Sequence, residues 1–166
     1  VFGNELQTRL REDSHAEGAP TAATWLCTGD LGVYLDGELY ITGRAKDLII
    51  VDGRNHYPQD IEATTSAASP AVRSGYVAAF AVPASLFTGA GGGESGERLV
   101  IVAERATGAG RADPGPVAES IRAAVSRQHG LAVADVKLVA AGVIPRTTSG
   151  KLARSACRER YLDGEL

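Results

Sequence analysis

The stretch Asp47-Leu-Ile-Ile-Val-Asp-Gly-Arg-Asn-His-Tyr-Pro-Gln-Asp-Ile-Glu62 decides the fold. Asp47 to Val51 is β-prone and apolar. Asp52-Gly53 supplies a tight turn, because both residues tolerate positive φ. Arg54 to Tyr57 is the short return strand. Pro58 then suits the first turn of a helix, where its missing N–H costs nothing. The helix runs to about Ala68, ahead of Pro70, with Asp60 and Glu62 placed for the positive end of its dipole.

Downstream, Gly75 to Val82 and Arg98 to Glu104 read as buried strands, joined by a flexible Gly-rich loop over Thr88 to Gly96. Pro114 to His129 reads as a helix that Gly130 stops. Val136 to Val139 is a last short strand, and Leu152 to Tyr161 closes the chain as a basic helix. Upstream, Asp36-Gly37 joins two β-prone runs into a hairpin over residues 32–42. Residues 1–24 are a polar, Ala/Gly-rich, irregular lead-in. The expectation is an α+β fold, a small sheet with flanking helices, preceded by a β-hairpin. The Gly43-Arg44-Ala45-Lys46-Asp47 segment is the candidate boundary, giving residues 1–43 and 44–166.

Composition excludes several classes. The chain has 166 residues, no Met, 20 Gly and only nine aromatics, so Val, Leu and Ile strands must supply the core. A chain without a starting Met is expected to be a processed chain or a piece of something longer. The longest apolar run, Tyr76 to Val82, is far short of the roughly 20 residues of a membrane helix. No signal-type leader is present, so a cytoplasmic location is expected. Cys27 and Cys157 stand alone, which supports neither a disulfide framework nor a metal cluster. A net charge of −3 argues against a nucleic-acid partner. The charge is uneven, because residues 137–160 hold six basic residues and one acid.

Five segments offer chemistry. Pro145-Arg-Thr-Thr-Ser-Gly-Lys151 ends in a mobile cation beside hydroxyls and a glycine, suited to anionic oxygens or merely solvated as a surface loop. It lacks the first glycine of a nucleotide P-loop. Thr28-Gly29-Asp30 places a carboxylate where it can accept from sugar hydroxyls, or simply form an Asx turn. Arg44 can hold phosphate or ribose, or belong to a charged linker. Gly53 to Tyr57 gathers polar groups at a helix start, with His56 either catalytic or a structural hydrogen-bonder. Cys157 sits in a basic stretch that can lower its pKa, or is an unreactive thiol.

Taken in series, these motifs are similar to the carboxyl-terminal end of the adenylate-forming ligases. The series is Thr28-Gly-Asp30, Gly43-Arg44-x-Lys46-Asp47, Gly53-Arg-Asn-x-Tyr-Pro-x-x-Ile-Glu62 and Pro145-Arg-Thr-x-Ser-Gly-Lys151. It spans about residues 25–160. Gly53 to Glu62 looks most like the fatty acyl-AMP ligases, which activate fatty acids as adenylates and pass them to acyl carrier proteins of polyketide or lipopeptide assembly lines.

The resemblance implies that Asp30 binds the ATP ribose hydroxyls and that Arg44 contacts ribose or phosphate. Lys46 would be the hinge of a mobile carboxyl-terminal domain. Lys151 would be the catalytic cation that bridges carboxylate and α-phosphate. Gly53, Arg54, Asn55, His56 and Tyr57 would form the face presented for thioester formation with a phosphopantetheine arm. Residues 1–43 would be the tail of a large amino-terminal domain. That domain would supply the phosphate loop, the acyl pocket and most of the ATP and Mg2+ contacts, so this chain alone is expected to be inactive. Cys27 replaces an arginine common in the family, which removes one charge beside the nucleotide. Two rival readings share the motifs: the same domain of a fatty acyl-CoA synthetase, and a non-catalytic module that docks an acidic carrier protein on the basic 137–160 segment.

Overall fold

The structure is a computed structural model and describes residues 10–11, 25–26, 28–87, 96–109 and 112–166. Cys27, most of the expected lead-in and all of the Gly-rich loop except Gly96 lie outside the described residues. The chain divides into two compact units, Val1–Lys46 and Asp47–Leu166.

In the first unit, β1 (Leu10–Arg11) pairs antiparallel with β2 (Trp25–Leu26). The lead-in is therefore not wholly irregular, as the sequence had suggested. β3 (Asp30–Leu35) and β4 (Glu38–Arg44) form the expected hairpin. Its Asp36-Gly37 turn has φ of 50° and 83°, the two positive values of a type I′ turn. Val33 and Tyr34 on one strand, and Leu39, Tyr40 and Ile41 on the other, are all exposed, on both faces of the ribbon.

The second unit opens with β5 (Ile49–Val51) and β6 (Arg54–His56) around Asp52-Gly53, whose φ values are 51° and 73°. α1 (Pro58–Ala68) starts with Pro58 in its first turn and stops where Ser69 turns extended before Pro70. β7 (Val72–Pro83) and β8 (Glu97–Arg105) are antiparallel. α2 (Pro114–His129) follows, capped by Asp113, whose carboxylate accepts from Gly115 N at 3.0 Å. Gly130 ends it at φ 68°. α2 then crosses to β9 (Val133–Val139), which runs parallel to β8, giving the order β7-β8-β9. α3 (Arg154–Leu162) closes the chain.

The sheet is covered on both faces, and its strands show why. Val77, Ala79, Ala81, Leu99, Ile101 and Ala103 face one core with Ile61 of α1 and Ile121 and Val125 of α2. The alternate residues Ala78, Phe80, Val82, Val100 and Val102 face a second core with Ile144 and Cys157. Period-2 alternation sends neighbours to opposite sides, and here both sides are dry. Each buried Val, Leu or Ile contributes about 1.5–3 kcal/mol of burial. Alanines 78, 79 and 103 are fully buried, so alanine also fills the core. Small side chains let the helices approach the sheet closely, a use that composition alone did not reveal. Among the described residues, no helix is long and apolar enough to cross a membrane.

Candidate functional site

Asp30 opens β3 and Arg44 closes β4, and the hairpin register sets the two directly opposite. Arg44 Nε donates to Asp30 Oδ1 at 3.1 Å. Thr28 Oγ1 accepts from Asp30 N at 3.1 Å and fixes the turn that presents the carboxylate. Arg44 engages through Nε, and its side chain is 68% exposed. The second carboxylate oxygen is left to accept from a pair of hydroxyls, and the guanidinium's outer N–H groups to reach an anion. The pair thus keeps one acceptor oxygen and several donor N–H groups available. Among the described residues, no group of three or more His, Cys, Asp and Glu side chains converges.

Lys46 lies exposed in a single 3-10 turn, Ala45–Asp47, at the division between the units. Its neighbours are held. Ala45 N donates to Gly29 O at 2.9 Å within the first unit. Asp47 accepts from Arg154 Nη1 at 3.1 Å within the second.

The β5–β6 turn carries Gly53, Arg54 and Asn55 on its exposed side, with His56 and Tyr57 half-buried. Gly53 lines a cleft of about 580 Å³ with Ile50, Asp52, Gly96, Glu97 and Arg98. His56 Nε2 is buried with no hydrogen-bond partner among the described residues. Burial, then the charges of Arg54 and His129, hold its pKa below the ordinary histidine value. His129 itself meets Thr64 Oγ1 at 2.8 Å. Thr64 gives its own proton to Asp60 O at 3.0 Å, which assigns the proton between them to His129 Nε2.

Lys151 stands at the end of a closed loop. Thr147 N donates to Lys151 O at 2.8 Å, and Lys151 N donates back to Thr147 Oγ1 at 3.1 Å. Gly150 makes the turn at φ 78°, where a Cβ would be strained. The side chain of Lys151 is exposed, and its Nζ has no hydrogen bond or ion pair among the described residues. It lines a second cleft, of about 560 Å³, with Glu62, Gly75, Arg146 and Arg154. The structure thus places Lys151 and Gly53 on different clefts of one unit, and Asp30 beside Arg44 in the other.

The surrounding basic residues are occupied. Arg154 forks onto Glu62. Arg158 Nε donates to Ala81 O at 2.8 Å, and Arg160 Nη1 to Val143 O at 3.1 Å. Lys137 sits 3.8 Å from Asp135, and Arg146 Nη1 donates to Gly150 O at 2.7 Å. Most of these cations are thus engaged as donors within the unit, while Lys137, Arg146, Lys151 and Arg160 still keep much of their side chains exposed. Cys157 is fully buried, and burial pushes its thiol up to about 11, so the basic stretch does not activate it.

Glu62 and Arg154 form the structural pair that sequence reading missed. Glu62 stood in a quoted motif but was assigned only to the helix dipole. Nothing local connects it to Arg154, 92 positions away.

No family model matches the chain. Its fold and motif positions are those of the carboxyl-terminal domain of adenylate-forming enzymes. A solved structure of McyG, an A-PCP complexed with phenylalanyl-adenylate, superposes with a TM-score of 0.75 at 30% identity, over 99% of this chain and 26% of that one. A structure from studies of fatty acyl-adenylate ligases from E. coli and L. pneumophila superposes with a TM-score of 0.68 at 36% identity, over 87% of this chain and 23% of that one.

Within this class the chain falls with the fatty acyl-AMP ligases. It is 56% identical to the long-chain-fatty-acid–AMP ligase FadD32 of Mycolicibacterium smegmatis, over 100% of this chain and 28% of the relative. It is 49% identical to the medium-chain-fatty-acid–[acyl-carrier-protein] ligase JamA of Moorena producens, over 99% of this chain and 26% of the relative. The chain spans about a quarter of the length of these relatives.

Proposed function

We infer that this chain is the mobile carboxyl-terminal part of a fatty acyl-AMP ligase. In the intact enzyme a fatty acid carboxylate attacks the α-phosphorus of ATP, the bond to the β-phosphate breaks, and pyrophosphate leaves. A phosphopantetheine thiol of an acyl carrier protein, or of a polyketide synthase, then attacks the acyl carbon and AMP leaves. The observation that carries this reading is Lys151. It is an exposed ammonium with no partner among the described residues, on a closed loop at a cleft, surrounded by cations that are already engaged. A positive charge between carboxylate and α-phosphate offsets their repulsion as they meet.

Asp30 and Arg44 would hold ribose and phosphate, Mg2+ would be bound outside this chain, and the cytoplasm is the proposed location. The apolar two-faced hairpin β3–β4 would pack into the remainder of a large amino-terminal domain. Rotation about Lys46 would exchange the Lys151 face for the Gly53–Tyr57 face. JamA, named as a ligase for an acyl carrier protein, favours a carrier over coenzyme A as acceptor.

In the full-length enzyme, Lys151→Ala is expected to slow pyrophosphate release at least about a hundredfold. Thioester formation from pre-made acyl-adenylate should suffer far less. Normal adenylation in this variant would sink the assignment, and an acceptor assay with coenzyme A beside a pantetheinylated carrier protein separates the two ligase readings.

A further inference from the structure

Glu104 is a fully buried acid at the end of β8, outside the residues assigned above. Its two oxygens serve different segments. Oε1 accepts from Ile144 N at 3.1 Å, where the chain enters the lysine loop. Oε2 accepts from Arg73 Nη1 at 2.8 Å. Arg73 lies where β7 loses register with β8, between Val72 and Val77. Its guanidinium carbon stands 3.4 Å from the centroid of the Tyr76 ring. The guanidinium carbon of Arg146 stands 3.9 Å from the same centroid. Two planar groups cannot both sit so close over one face, so the ring is sandwiched between them.

Arg146 in turn donates from Nη1 to Gly150 O at 2.7 Å and from Nη2 to Gly75 O at 2.5 Å. A continuous chain of contacts thus runs from Glu104 through Arg73, Tyr76 and Arg146 to the carbonyl preceding Lys151. Two like charges on one ring repel, and Glu104 offsets one of them. Cation–π attraction then holds the other in place. The same carboxylate ties down the loop's entry at Ile144, so one buried group anchors both ends of the loop. A surface loop that only needed to close a turn would not require a fully buried acid at its base.

We propose that Glu104, Arg73, Tyr76 and Arg146 are positioning residues that aim Lys151 during adenylation. The inference rests on the reading of Lys151 given above. The brace acts on one half-reaction only, because the thioester-forming face around Gly53 lines a different cleft.

The test uses the full-length enzyme. Tyr76→Leu removes the ring from a half-exposed position, and Arg146→Lys keeps the charge but loses the planar fork. Both should lower the pyrophosphate-exchange rate about ten- to a hundredfold, the scale of a misplacement near 1 Å. KM for ATP and fatty acid, and thioester formation from pre-made acyl-adenylate, should stay near wild type. Tyr76→Phe, which retains the ring, should restore most of the rate lost in Tyr76→Leu. Glu104→Gln should follow the same pattern, provided its thermal transition shows a folded protein. An undiminished exchange rate in Tyr76→Leu overturns the proposal. So does an equal fall in both half-reactions, which marks general destabilisation. Lys151→Ala serves as the control. If it is inactive while the brace variants are normal, only the brace fails; if it adenylates normally, the functional reading fails and the brace with it.

Discussion

Arg154 grips Glu62 with two parallel hydrogen bonds, Nε to Oε1 at 2.6 Å and Nη2 to Oε2 at 2.7 Å. The fork joins the start of α3 to the first turns of α1. Ala79 N adds a third donor to the same carboxylate at 3.1 Å, bringing in the sheet. Asp47 is held by the remaining guanidinium arm. Three elements and the segment entering the second unit thus meet at one ion pair. The hydrogen bonds it donates to Glu62 hold the Arg154 pKa above its ordinary value against the opposing effect of burial.

Breaking this fork should destabilise the second unit. Removing one partner of a largely buried pair leaves the other without its counter-charge, at about 3–5 kcal/mol. Glu62→Ala is therefore expected to lower the thermal transition of the unit by several degrees. Arg154→Lys should fall between wild type and Glu62→Ala, because an ammonium cannot fork. A transition unmoved in Glu62→Ala would show that the pair contributes nothing net.

The proposed hinge role of Lys46 can be tested: Ala45 is tied to Gly29 and Asp47 to Arg154, which leaves Lys46 between two held neighbours. Under that proposal, rotation would fall on the backbone of one exposed residue. Proline fixes φ near −65°. Lys46→Pro should leave the faster half-reaction within a few-fold of wild type and slow the other, which presteady-state assays of each step will resolve. Wild-type rates for both would place the hinge elsewhere.

Cys157 should be inert in the folded protein. With its thiol pushed up to about 11, the thiolate is scarce at neutral pH, and the side chain is out of contact with water. In a Cys27→Ser background, a thiol reagent at pH 7.5 should label Cys157 only after denaturant is added. Rapid labelling of the native protein would contradict the burial described for α3.

His56 makes stability pH-dependent in a definite direction. Its folded pKa lies below the ordinary 6.5, so the unfolded chain binds the proton more readily. The associated stability is fully present above about pH 6.5 and is lost as pH falls through that value toward the folded pKa. Wild type should therefore lose more stability between pH 7.5 and 5.5 than His56→Gln does. Identical pH slopes in denaturant melts would refute the effect.

Much of the second unit was legible in the sequence because its signals are local. Asp52-Gly53 encodes two positive φ angles, Pro58 a helix start and Gly130 a helix stop, and each acts over a few residues. The strands were longer than expected: β7 spans Val72–Pro83, not Gly75 to Val82, and β9 spans Val133–Val139, not Val136 to Val139. Pairing recruits flanking residues whose own propensity is weak, and that pairing is not written locally. Asp30 and Arg44 face each other because the register shifts by one residue between Leu31 and Gly32; the Asp36-Gly37 turn alone would set Asp30 against Gly43, and that shift was not legible locally.

The sequence by itself determined the order of elements, the turn chemistry and the motif series that identifies the class. Short-range steric and hydrogen-bonding rules suffice for these. Tertiary structure alone decided what the charges do. It engaged most cations of the net-positive segment as hydrogen-bond donors or ion-pair partners, left Lys151 free of partners among the described residues, and set Glu104 beneath the loop that carries it. The key contacts join residues far apart in sequence, such as Arg73 with Glu104, 31 positions away, and Arg154 with Glu62, 92 positions away. Only the packed sheet, dry on both faces, brings such residues within hydrogen-bonding reach.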